Sequence, residues 1–347
     1  MRNETPRELL RFAHPEPLST ETARPPRLPV HPVFLPFAGC PQRCVYCDQR
    51  AQTGQAPESI DDTLARVRRE VQAHESPVEL AFYGGTFTSL PPRHMRLLLE
   101  LAQELRAAGK VARVRCSTRP DAIDPELLPR LAGMGLDLIE LGVQTFHDPA
   151  LAASRRGYGG DLARRACAQV LDCGLALGIQ LLPGLPGHAP EDLARDVEIV
   201  AQIGPEFARL YPCLVPEGTE LADLWRAGDY EPWPLEATVE ALARALLTLW
   251  AARVPVARLG LAEDEGLRIL AGPRHPALGQ MARARALLLF VQALLPTLAE
   301  RPDTLMLPLK LRGEALGQGN ELAAEYAALG LSVGFHLAWD CVLGCGK

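Results

Sequence analysis

Residues 30–47 read VHPVFLPFAGCPQRCVYC: a short apolar run, a turn marked by Pro and Gly, then Cys40, Cys44 and Cys47. The run Val30–Phe37 is bounded by helix-breaking residues and has the length of a strand buried on both faces. Five more such runs follow, at Val78–Tyr83, Val111–Cys116, Leu136–Val143, Leu175–Leu182 and Phe207–Val215. Between them the apolar spacing becomes helical. Ser59 can cap a helix with Asp62 three residues on, and Ile60, Leu64, Val67 and Val71 form its inner face. Met95, Leu98, Ala102 and Leu105 repeat the spacing up to Gly109. Asp161 is expected to cap the next helix, Pro190 to open a fourth that Gly204 closes, and a last one to cover Thr238–Ala252.

Six strand–helix units predict an α/β fold. Parallel strands joined by helices must be covered on both faces or closed. Six units fall short of an eight-fold barrel, so residues 30–255 are expected to form a partial (β/α)6 TIM-type barrel. Periodicity alone leaves an open doubly wound sheet as the alternative. Residues 1–29, rich in Pro and Thr, read as an extended N-terminal lead-in. Beyond residue 256 a helix (Pro276–Leu295), a strand (Thr304–Leu311), a helix (Glu314–Leu329) and a strand (Leu331–Trp339) predict a small C-terminal α/β lobe over 256–347.

The chain has 347 residues, 48% of them hydrophobic, and nine cysteines. An odd cysteine count without a secretion signal argues against a disulfide framework, so a cytoplasmic protein with reduced thiols is expected. No unbroken apolar stretch suggests a membrane partner. A net charge of −6 makes strong non-specific nucleic-acid binding an unexpected default.

Three thiolates from one loop suit a [4Fe–4S] cluster, which takes a cysteine on each iron in ferredoxin-type sites. With three ligands one iron stays open, and S-adenosylmethionine (SAM) could chelate there through its amino and carboxylate groups. The competing reading is a structural zinc site, which wants four ligands and has His31 as its nearest further candidate. CVLGC at residues 341–345, with His336, is a weaker candidate for an auxiliary metal site. The triad's place after the first strand favours the cluster, because barrel active sites collect at strand C-termini.

FLPFAGCPQRCVYCDQ resembles the cluster loop of the radical SAM superfamily. The stretches FYGGTFTSLP (82–91), RCSTRPDAI (115–123), ELGVQTF (140–146), SRRGY (154–158), QLLPGLPG (180–187) and RLYPCLVPEGTELADLWRAGDYEPW (209–233) are similar to the branch typified by Elongator's catalytic subunit. The resemblance implies Cys40, Cys44 and Cys47 as cluster ligands and Tyr46 beside the adenine of SAM. It implies Gly84, Gly85 and Thr86 at the SAM amino group, where two residues without side chains let backbone approach a ligand. Ser117 stands where related enzymes often carry an acidic ribose contact. Gln144 is matched to the ribose or carboxylate, Arg156 to the SAM carboxylate, Gln180 to the ribose, and Leu182 to the adenine wall. Arg209 and Tyr211, at the sixth strand end, either face substrate or pack.

The resemblance also implies an electron donor of flavodoxin or ferredoxin type, and a tRNA base as substrate. The tail is expected to be too short for the acetyltransferase domain that Elongator's catalytic subunit carries. Two alternatives stay open: a radical SAM enzyme acting on a small metabolite or porphyrin-like compound, and a non-catalytic iron–sulfur or zinc interaction protein. Arginines at 66–69, 155–156, 164–165 and 283–285 would favour RNA if they converged on the barrel mouth; the alternative is that they are solvated helix faces paired with acids, as Arg66 with Glu70.

Overall fold

The apolar runs pair in the order in which they occur. In the computed structural model, which describes residues 7–16, 28–41, 43–48, 58–260, 268–338 and 340–345, strand β1 (Arg7–Phe12) precedes the barrel. Strands β2 (Val30–Phe34), β3 (Val78–Tyr83), β4 (Val111–Thr118), β5 (Leu138–Gln144), β6 (Ala176–Leu181) and β7 (Phe207–Leu210) then lie side by side and parallel. Helices α1 (Ile60–Gln72), α2 (Pro92–Ala107), α3 (Leu128–Gly133), α4 (Asp148–Ala153), α5 (Gly160–Asp172) and α6 (Pro190–Ile203) fill the crossovers. After the short β8 (Val215–Pro216) come α7 (Glu220–Ala227) and α8 (Leu235–Ala251), and then β9 (Val256–Leu259) adds a seventh parallel strand beside β7. The sheet curls into an incomplete barrel, and the open doubly wound alternative falls away.

The seventh strand exceeds the six expected and begins just past residue 255. It has four residues, two of them exposed, so no apolar run marks it. Strand β10 (Ile269–Ala271) pairs antiparallel with β8. Helix α9 (Leu278–Leu294), with the 3-10 turn Leu295–Thr297 that follows it, is long and apolar enough to meet the composition of a membrane span. It is apolar on more than one side because it is shared: Leu278, Ala282 and Ala286 join the barrel core, and Ala284, Leu287, Leu288 and Val291 join the core of the lobe.

The lobe is a four-stranded sheet, β1–β13–β11–β12, with β11 (Thr304–Pro308), β12 (Ser332–His336) and β13 (Cys341–Cys345). The expected lead-in thus contributes β1, which pairs antiparallel with β13. Trp339, the expected end of the last strand, lies outside the described residues. The helix expected over 314–329 is broken into α10 (Arg312–Ala315) and α11 (Ala323–Ala328), because Gly317 and Gly319 take positive φ between them.

Helix starts follow local chemistry. The Ser59 hydroxyl accepts the Asp62 N–H at 3.1 Å, as its sequence position predicts. Asp161 does not cap α5: Gly159 is the cap residue, and Asp148 from α4 accepts the Gly160 N–H at 2.7 Å. Gly204 closes α6 in the left-handed conformation.

Candidate cofactor site

Two loops form the rim. After β2 the chain turns through Gly39 at φ 73°, and the Cys40 N–H donates to the Phe37 carbonyl at 3.1 Å. After β3 it turns through Gly84 and Gly85, both at positive φ, and the Thr86 N–H donates to the Ala38 carbonyl at 2.7 Å. A Cβ on Gly85 would overlap the Ala38 carbonyl oxygen, and one on Gly39 would overlap that of Thr86. What the expected close approach of Gly85 meets is therefore the backbone of the cysteine loop. The glycines seat that loop on β3. Thr86, fully buried, sits behind the rim with its hydroxyl 3.4 Å from Cys40 Sγ.

Inside lies a cavity of about 360 Å³. The cysteine loop contributes Cys40, Cys44, Tyr46 and Cys47 to its wall, and the strand ends contribute Gly84, Gly85, Ser117, Gln144, Gln180 and Leu182. Arg156 lines it from the loop before α5, and Arg209 and Tyr211 form part of its floor. The predicted site residues thus meet around one space, apart from Thr86.

Arg156 is the cationic centre. It is 4% exposed, and its guanidinium donates to Cys44 Sγ at 3.1 Å, to the Tyr46 hydroxyl at 3.2 Å and to the Gly142 carbonyl at 2.6 Å. Its Nε–H donates to the Tyr158 hydroxyl at 3.0 Å, and Tyr158 donates on to the Gly142 carbonyl. Arg119 places a second guanidinium 3.6 Å from Cys44 Sγ and is itself held by Asp121 at 2.8 Å. Burial pushes the Cys40 thiol up, and pushes that of Cys47 up to about 12. Those two are held protonated until a metal takes the proton's place.

Gln144 carries two marks of a ligand contact. Its φ is 71°, a conformation rare and strained for a non-glycine residue, at a register shift where β5 ends. Its Oε1 is buried without a partner among the described residues.

The floor holds a second polar layer. Glu140, 2% exposed on β5, forms an ion pair with Arg209, Oε1 to Nε 3.1 Å, while its other oxygen is without a hydrogen-bond partner among the described residues. Burial raises the Glu140 carboxyl pKa, against the pull of Arg209 and Arg115. Arg209 also donates to the Tyr211 hydroxyl at 2.9 Å and to the Tyr83 hydroxyl at 3.1 Å. Glu140, Tyr83, Arg119 and Tyr158 were missed in the sequence. Glu140 had a signal, a lone carboxylate inside the apolar strand LIELGV.

The donor set fits a [4Fe–4S] cluster and SAM: three thiols on one loop, an unpaired amide oxygen and a guanidinium around the same cavity. The zinc alternative loses its fourth ligand. His31 faces away from the triad, its Nδ1 3.2 Å from His74 Nε2 and its Nε2 3.3 Å from Glu70. The auxiliary site fails too. Cys341 and Cys345 are four residues apart on an extended strand, about 13 Å at the usual rise, and His336 lies on β12, beyond β11. Among the described residues no three metal-binding side chains converge on a single ion.

The family description "Radical SAM superfamily" matches residues 34–200, and "Radical_SAM C-terminal domain" matches 205–288. A tRNA uridine(34) acetyltransferase of Methanocaldococcus jannaschii is 27% identical over 259 residues, 61% of this chain and 47% of the relative. The heme chaperone HemW of Mycobacterium tuberculosis is 27% identical over 209 residues, 57% and 53% respectively. The chain spans about half the length of these curated relatives. An archaeal Elp3 from Methanocaldococcus infernus superposes with a TM-score of 0.56 at 22% identity, over 74% of this chain and 62% of that one.

Proposed function

We propose, from the premise that the chain belongs to the radical SAM superfamily, that it uses this cavity to direct SAM-derived radical chemistry at a tRNA base. Enzymes of this class bind a [4Fe–4S] cluster and SAM. In this reading Cys40, Cys44 and Cys47 hold the cluster, while Gln144, Arg156, Gly84, Gly85, Ser117, Gln180, Tyr46 and Leu182 hold SAM. When bound, the pair supplies one-electron cleavage of the sulfonium carbon–sulfur bond and a carbon radical that abstracts hydrogen from substrate.

The chain's own residues bind, orient and exclude. Arg156 is fixed by Tyr158 and the Gly142 carbonyl, and its Nη1, which donates to Cys44 Sγ and the Tyr46 hydroxyl, is the part a SAM carboxylate would engage. Gln144 offers its unpaired oxygen to a ligand donor such as an ammonium or ribose hydroxyl. The apolar wall around Leu182 keeps water from the reacting atoms. An electron donor of flavodoxin or ferredoxin type, and a cytoplasm that keeps thiols reduced, belong to the same reading.

The observation that carries the enzymatic reading is Gln144: a strained, buried amide with a free oxygen, in the same cavity as Arg156 and the three thiols. A non-catalytic scaffold has no use for it. The tRNA substrate is supported by the relatives named for tRNA uridine 34, and by Arg43 and Arg258, exposed cations at the cavity wall. Against it, Arg66, Arg68, Arg155, Arg283 and Arg285 are engaged with acids. That pairing favours the second reading, a small-molecule or porphyrin-like substrate.

Binding of bulk tRNA across a salt series separates the two. For RNA, affinity falls with salt at a log–log slope of about −0.7 per phosphate contacted on single strands. Arg43→Ala and Arg258→Ala should each make that slope shallower by about 0.7. Absence of binding at about 50 mM salt moves the reading to the small-molecule enzyme.

A further inference from the structure

The floor of the cavity is more elaborate than packing requires. Three polar groups that line the cavity surround one guanidinium, and each keeps an unused hydrogen-bonding position. Tyr83 and Tyr211 accept from Arg209, at 3.1 and 2.9 Å. Each phenol has thereby spent an acceptor position, and its own O–H remains to be donated. Glu140 takes Arg209 with one oxygen, and its second is a buried acceptor without a partner. Tyr83, Glu140, Arg209 and Tyr211 all line the cavity. Burial raises the Tyr83 and Tyr211 phenols well above physiological pH, so both keep their protons.

We infer that Tyr83, Glu140 and Tyr211, held together by Arg209, form a substrate subsite that reads an imide edge, two carbonyls flanking an N–H, as in a uracil ring. Two hydroxyl donors and one carboxylate acceptor complement two acceptors and one donor. A cytosine, which offers one donor and two adjacent acceptors, leaves one phenol without an acceptor, sets its ring-nitrogen lone pair against the carboxylate, and fits worse. Leaving a buried polar group unpaired is the strongest means a site has of rejecting an analogue. Arg209 makes none of these contacts itself. It is a positioning residue, which anchors all three.

The inference rests on the tRNA reading for its natural ligand but can be judged apart from it. The full-length, anaerobically reconstituted protein with SAM is titrated with a tRNA anticodon stem-loop carrying either uridine or cytidine at the wobble position. Free uridine and free cytidine are compared in parallel at millimolar concentration, read by saturation-transfer NMR. The wild type should prefer uridine by about tenfold or more in the stem-loop, since two of the three hydrogen bonds are lost on cytidine. Of Tyr83→Phe and Tyr211→Phe, each removing one oxygen and no packing, the one whose phenol meets the C4 carbonyl should shrink that preference several-fold, and the other should weaken both bases alike. Glu140→Gln should also shrink the preference; if that variant fails to fold with Arg209 left unpaired, the two Phe variants still decide.

A uridine preference that both Phe variants leave intact overturns the subsite and leaves the tRNA reading standing. No binding of either stem-loop, with free uridine still preferred and that preference weakened in Tyr83→Phe or Tyr211→Phe, supports the subsite and removes the tRNA reading. No preference for uridine in either form overturns the subsite.

Discussion

Two of the buried polar clusters among the described residues make a pair for comparison, since both contain atoms without hydrogen-bond partners. One is the cavity, with Gln144 Oε1 and Glu140 Oε2; the other joins barrel and lobe, where His14 Nε2 and Glu314 Oε1 are likewise unpartnered. At the joint the two unpaired atoms face one another 3.9 Å apart, beside the Arg283–Glu16 ion pair at 2.8 Å and under the edge of Trp250. In the cavity the two residues that carry them line open volume. An unsatisfied buried atom therefore points to a ligand only where no protein group stands within reach to satisfy it after a small shift. The joint is a structural contact between units, and the cavity is a site.

The largest expected effect tests whether the cavity is a site at all. Cys40→Ala, Cys44→Ala or Cys47→Ala should each abolish binding of about four irons after anaerobic reconstitution, whereas Cys341→Ala should leave iron content unchanged even if it lowers stability. Iron and sulfide analysis decides; full iron loading in a triad variant would break the contrast.

Next, Arg156→Ala or Gln144→Ala should weaken SAM binding roughly ten- to hundred-fold, the cost of about one charge-assisted contact. Equilibrium binding by calorimetry measures this, with Arg156→Lys as a control that restores charge without the planar fork. Unchanged affinity in both Ala variants would make the cavity no more ligand-directed than the joint.

At the joint the expected effect is on pH dependence. Burial lowers His14 from 6.5 to about 4 and raises Glu314 from 4.5 to about 7. For His14 the folded state disfavours the proton, so stability is lost as pH falls from 6.5 toward 4. For Glu314 the folded state favours it, so stability is lost as pH rises from 4.5 toward 7. Between pH 4.5 and 6.5 the two slopes oppose and largely cancel. Glu314→Gln should unmask the His14 slope, with stability falling toward acid. His14→Gln should unmask the opposite one. Denaturant unfolding at pH 5 and pH 6.5 checks the sign, and identical slopes in the two variants would show that the joint does not hold these protonation states.

The smallest effect concerns strain. Gln144→Gly should be more stable than Gln144→Ala by about 1 kcal/mol, because only glycine takes φ 71° without cost. Thermal unfolding of the two variants measures it. Equal stabilities would mean that the strand end relaxes once the amide is gone.

Much of the barrel was legible because its signal is local. Buried parallel strands need apolar runs, and each of the six expected runs became a strand of the sheet in sequence order. β9 and β1 were not legible. Each is short and partly exposed, and each pairs with a strand far from it in sequence, or with one too short to stand out. The glycine pair was legible as a close approach, but not what it approaches, since Ala38 lies 47 positions before Gly85 and only the fold brings them together.

The sequence by itself determined the chemistry on offer: three thiols on one loop, a guanidinium and an amide in recognisable motifs, and the alternating strands and helices that carry them. Side-chain type and short-range spacing suffice for that, because both are written within a dozen residues. Only the tertiary structure decided where those groups meet. It set Gln144 in the cavity wall, tied Tyr83, Glu140 and Tyr211 to one arginine from β3, β5 and the residue after β7, and turned His31 away from the cysteines. Those relations depend on strand register and sheet curvature, which distant parts of the chain set together.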